Sequence, residues 1–87
     1  MSRLTEQDHE DSRSAGVVFA QSVLSGMPED EADAAIKEAG SLARRLAIKG
    51  GYTPEEQAEL RHYFTEAAKV EWQWLSLVGG NVGHGSA

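Results

Sequence analysis

The chain of 87 residues has no cysteine, which excludes disulfides and thiolate chemistry. Cations are scarce: 8 lysines and arginines face 14 acids, a net charge of −6, which argues against direct nucleic-acid binding because phosphates would be repelled. No apolar run approaches the roughly 18 residues that a membrane span needs, so no membrane partner is expected. The start, Met1-Ser2-Arg3-Leu4-Thr5-Glu6, leads into acids rather than an apolar stretch, so it does not read as a signal peptide, and a cytoplasmic location is the default expectation. Catalytic signatures are missing too. There is no Gly-x-Ser-x-Gly elbow, and the glycines near the C-terminus follow a helical pattern instead of opening one, unlike a phosphate loop. His84 has no nucleophile or acid nearby in the sequence. Neither an enzyme nor a bound cofactor is expected.

The two prolines mark structure. Lys49-Gly50-Gly51-Tyr52-Thr53-Pro54-Glu55-Glu56 reads as a helix end, a tight reversal and a capped helix start. Gly50 and Gly51 can take the positive φ that closes a helix. Thr53 suits the N-cap, Pro54 the first helical position, and Glu56 the return arm of a capping box. Pro28-Glu29-Asp30-Glu31 likewise opens a helix, with acids at the positive end of its dipole. The pattern predicts helices over about 28–49 and 54–78, forming an antiparallel αα-hairpin. A shorter helix, about 12–25, ends at Gly26-Met27-Pro28. The fold class is all-α, a small three-helix bundle in one domain. Residues 1–13 read as a polar arm, although Thr5 and Asp8 weakly resemble a second capping box. Residues 79–87 read as a Gly-rich tail without periodicity, disordered on its own.

A domain this small buries only about 60–65% of its unfolded surface, so it gains from an oligomeric or partner contact. The 28–49 helix offers Ala32, Ala35, Ile36, Ala39, Leu42, Ala43, Leu46 and Ala47 as its inward face. The last helix carries a core stripe of Leu60, Phe64, Ala67, Ala68, Leu75 and Val78, widened by Tyr63, Val70, Trp74 and Leu77. This apolar arc covers about half the circumference, beyond the ~100° that one neighbour needs. Two partner surfaces are implied. At about 100° per residue Trp74 joins the stripe, and Trp72 lies at its far edge. Glu71 falls in the middle of the arc, where an unpaired carboxylate is costly; either the packing is offset, so that it faces a solvated groove or pairs with Arg44, or it meets a partner or ligand. Tyr63, Val70, Glu71, Trp72, Trp74 and Leu75 are therefore the candidate partner-binding residues. Arg44, Arg45 and Lys49 suit the dipole of their helix end and ion pairs to the last helix.

The preferred reading is a non-catalytic helical protein–protein interaction module, either a small subunit or adaptor of a larger assembly or a homo-oligomer. One alternative is a small acidic inhibitor or regulator that blocks a basic, nucleic-acid-binding surface of a partner, as phage anti-defence proteins do, an analogy of size and charge alone. A second alternative is a metal-binding helical dimer. Glu59 and His62 form a Glu-x-x-His pair with Glu66 one turn on, the spacing used in carboxylate-bridged di-metal bundles. That face is mostly polar, and the expected metal content is none.

Overall fold

The computed structural model describes residues 3–86, with side chains over residues 3–78. The architecture is three helices: α1 (Glu6–Phe19), α2 (Glu29–Lys49) and α3 (Pro54–Ser86). A π-helical turn, Ala20–Leu24, extends α1. The all-α bundle expected from the sequence is present, and no strand occurs among the described residues. Among the described residues no helix is long and apolar enough to cross a membrane.

Local chemistry explains the boundaries. Thr5 caps α1: its Oγ1 accepts from the Asp8 N–H at 3.2 Å, and Asp8 accepts from the Thr5 N–H at 2.9 Å. This capping box starts the helix at Glu6, well before the position near 12 expected from the apolar pattern, so most of the polar arm is helical. The cap satisfies donors that the weak hydrophobic signal gave no reason to order. At the other end, Gly26 has φ 82°, and the Met27 N–H returns to the Leu24 carbonyl at 3.0 Å.

The α2–α3 reversal is built as the sequence predicts. Gly51 has φ 82°; its N–H reaches the Ile48 carbonyl at 3.1 Å, and the Tyr52 N–H reaches the Ala47 carbonyl at 3.1 Å. This is a Schellman closure, which favours glycine at that position. Thr53 and Glu56 then form the capping box, with the Thr53 N–H donating to Glu56 at 2.8 Å and the Glu56 N–H to Thr53 Oγ1 at 3.2 Å. The α3 backbone continues to Ser86 instead of ending near Val78; no proline follows Pro54 to break its ladder. Ala87 and the side chains of the Gly-rich tail lie outside the described residues.

α3 is the spine. At 1.5 Å per residue its 33 residues span about 50 Å, close to the molecule's longest extent of 51 Å. α1 and α2 both pack on α3 and make little contact with each other. The molecule is therefore thin, 51 × 23 × 16 Å, and its radius of gyration, 14.4 Å, exceeds the roughly 12 Å of a compact chain of this length.

The core gathers where the π turn, the start of α2 and the later part of α3 meet. Ala20, Leu24, Ala32, Ile36, Ala68 and Trp72 form it, with Phe19, Met27, Ala35 and Leu75 packed around them. Two glycines set the helix spacing. A Cβ on Gly16 falls inside contact distance of the Phe64 carbonyl oxygen and 3.1 Å from Ala67 Cβ. A Cβ on Gly40 lies 2.8 Å from Thr65 Cγ2. α1 and α2 thus each press backbone against α3 at one glycine.

Candidate interaction surfaces

α3 packs with a rotation that redistributes its candidate residues. The sequence pattern centres the buried side near Phe64, Glu71 and Leu75. In the structure α2 meets α3 through Arg61, Thr65 and Lys69, so the buried centre moves about 60° toward Ala68 and Trp72. Trp72, placed at the edge of the stripe from sequence, is in the core at 8% exposure, and its Nε1–H donates to the Met27 carbonyl at 2.9 Å. Trp74, placed in the stripe, is 59% exposed. A half-circumference arc fixes the width of a face without fixing its centre; the amphipathic stems of Arg61 and Lys69 allowed the shift. Trp72 is thereby withdrawn from any docking surface.

The other candidates divide. Leu75 packs half-buried against the core. Glu71 is half-buried on the flank, the offset placement that was one of its two expected positions, and it accepts from Gln21 Nε2 at 3.1 Å instead of pairing with Arg44. Tyr63 is half-buried under α1: its ring lies 4.3 Å from that of His9, and Arg13 stands 4.8 Å above it. Val70, Trp74 and Leu77 remain exposed as a row spaced by four and three residues, about half a turn from the side that meets α2. Glu66, Glu71 and Arg13 share a shallow hollow with Val70 at the start of this row.

The wider opening lies elsewhere. Since α1 and α2 barely touch, a groove of about 490 Å³ runs between them over α3. Its walls are Ala15 and Phe19 on one side and Ala39, Leu42, Ala43 and Leu46 on the other; Leu60 and Phe64 make the floor. A further hollow of about 330 Å³ extends it past Phe19 to Val23, Ala35, Glu38 and Arg45. Leu42 is 52% exposed and Leu46 60% exposed, so the apolar face of α2 is only partly covered. The buried positions are Ala32, Ile36, Gly40 and Ala47. What reads as one broad inward face is two adjoining faces, and α3 takes one of them. The apolar pattern turns Leu42 and Leu46 inward, and it carries no signal for the close approaches at Gly16 and Gly40. The sequence signal for the division was the offset between a four-residue row (32, 36, 40) and a heptad row (35, 39, 42, 46).

The polar groups serve structure. Glu56 has no solvent exposure. It accepts from the Arg3 N–H at 2.6 Å, from Arg3 Nη2–H at 3.2 Å and from the Thr53 N–H. The Arg3 guanidinium, then the backbone N–H groups of Thr53 and Arg3, hold its carboxyl at about 2 against an ordinary 4.5. Arg3 also donates to the Gly51 carbonyl at 2.9 Å and stands 5.4 Å over the Tyr52 ring, and the hydrogen bond to Glu56 raises its own pKa. Lys69 pairs with Asp33 and, at 3.6 Å, with Glu29; the Asp33 hydrogen bond raises its pKa. Lys69 also lies 5.2 Å over the Trp72 ring. Among the described residues every buried side-chain nitrogen and oxygen has a partner.

Glu59 is taken up by His9, whose Nε2 lies 2.6 Å from Glu59 Oε2. It does not converge with His62 and Glu66, and among the described residues no three His, Asp or Glu side chains gather closely enough to hold a metal ion. Arg44, Arg45 and Lys49 form no ion pair with a described carboxylate, contrary to the expected pairing with α3. Compared with protein-family models, curated proteins and solved structures, the chain finds no match in any of the three.

Proposed function

We propose that the chain is a non-catalytic helical interaction module, acting as a homo-oligomer or as a small subunit of a larger assembly, and that it associates through the groove between α1 and α2. The observation that supports this reading is the exposure of Leu42 and Leu46 along an apolar groove of about 490 Å³. Leaving two leucines half in water forgoes about 1 kcal/mol for each, roughly half of what full burial of an exposed leucine contributes. A marginal 87-residue domain gains most by covering such a surface. The groove runs between two helices and is lined mostly by alanine, leucine and phenylalanine, which suits the apolar face of another helix better than a small polar substrate.

The test is site-specific cross-linking. A photo-reactive side chain in place of Leu46 should give a discrete protein adduct, either with the purified chain or in extracts of cells expressing it. The same group in place of Glu31, on the exposed acidic start of α2, should give none. Absence of adducts from position 46 in both settings would remove the reading.

A further inference from the structure

We infer that the occupant of the groove is a second copy of this chain, paired through antiparallel α2 helices about a two-fold axis near Leu42. The inference rests on the interaction reading above and identifies its partner.

Three observations on α2 carry it. First, Ala35, Ala39, Leu42 and Leu46 are spaced four, three and four residues apart, a heptad seam. The seam adjoins the buried row of Ala32, Ile36, Gly40 and Ala47; Ala35 is packed at the edge of the core, while Leu42 and Leu46 stay exposed. Second, the same face carries both halves of a fit. Leu42 and Leu46 project beside a hollow lined by small side chains, Ala15, Ala39 and Ala43, over Phe64. A two-fold interface needs such a self-complementary patch, because each residue meets the same surface it belongs to. Third, the charges on the rim are complementary under that symmetry. Glu38 and Arg45 line the hollow that continues the groove past Phe19, and neither has an ion-pair partner among the described residues. With two α2 helices running antiparallel about a point between Ser41 and Leu42, position 38 of one copy faces position 45 of the other. Glu38 then meets Arg45 twice, once on each side of the axis. A parallel arrangement would place the two copies of this edge on opposite flanks of the seam and form neither pair.

The exposed row on α3 lacks this property. Val70 borders a hollow that holds Glu66, Glu71 and Arg13, and Arg13 is already engaged by Glu10 at 3.2 Å and by the Tyr63 ring, so self-pairing there would bring acids together with no free cation between them among the described residues.

Sedimentation of the purified chain tests the inference. The expected mass is twice 9.4 kDa. Glu38→Arg alone should weaken the dimer roughly tenfold, as should Arg45→Glu alone, because two attractive contacts each become repulsive. The combined exchange, Glu38→Arg with Arg45→Glu, should restore it, and that rescue excludes a mere folding defect. A chain that stays monomeric at millimolar concentration would overturn the dimer. If such a monomer still gives position-46 adducts with another protein in cell extract, the interaction reading stands and only the identity of the occupant falls. A dimer indifferent to all three charge variants would equally overturn the α2 pairing.

Discussion

The two ends of the bundle are held by different physics. Around Trp72 the helices meet through apolar side chains, with one indole hydrogen bond to the Met27 carbonyl at 2.9 Å and an ion pair of Lys69 with Asp33 at the rim. Around Glu56 the contacts are polar: Arg3 reaches across to a carboxylate that has lost its water, beside the capped reversal of Gly51 to Thr53. The first end owes its strength to burial, which no pH removes. The second depends on a charge remaining a charge. A small bundle with too little apolar mass to fill both ends can therefore close one with side-chain volume and the other with a capped, ion-paired corner.

The sharpest way to break this contrast is Trp72→Ala. The loss should be about 3–5 kcal/mol, a large part of the roughly 4–13 kcal/mol that a chain of this length commands, and urea titration followed by circular dichroism should show it as an early midpoint or an unfolded chain. Next comes Gly16→Ala, which drives a Cβ onto the Phe64 carbonyl and should cost about 1–3 kcal/mol. Its signature is loss of protection from amide exchange in α1 before α2.

The polar end answers to pH. Glu56 has a carboxyl pKa lowered from 4.5 to about 2, so its contribution is complete above pH 4.5 and disappears as the pH falls through about 2. Thermal melts should fall across that window. Glu56→Gln should lower the melting temperature at neutral pH and flatten its decline in acid, whereas Trp72→Phe should leave the decline unchanged. The smallest effect belongs to the outer row of α3: Val70→Ser, Trp74→Ser and Leu77→Ser should each stay within about 0.5 kcal/mol of the parent in the same urea titration.

Punctuation was legible in the sequence, and rotation was not. Gly51, Thr53, Pro54 and Glu56 announced the reversal because capping is a contract between neighbours in the chain. Thr5 and Asp8 signalled a helix start in the same way, though the polar residues that follow offer no apolar stripe to support it. The azimuth of α3 depends on which side α2 approaches, and that was decided by Gly40 meeting Thr65 and by Lys69 meeting Asp33, contacts distant in sequence. Trp72 and Trp74 exchanged roles as a result. The groove was hidden for a related reason: periodicity counts apolar residues on α2, but only the separation of α1 from α2 shows how many are left uncovered.

That separation has a mechanical side. Each wall of the groove is fastened to the spine along its length and to the other only at the Trp72 end, where Ala20 and Leu24 meet Ala32 and Ile36, so in the isolated chain the stretches around Ala15 and Ala43 move about α3 with no direct tie between them. A guest lying between them becomes the first tie joining those stretches, and its arrival should register as correlated stiffening: slower amide exchange around Ala15 and Ala43 together, with the contacts at the Trp72 end unmoved.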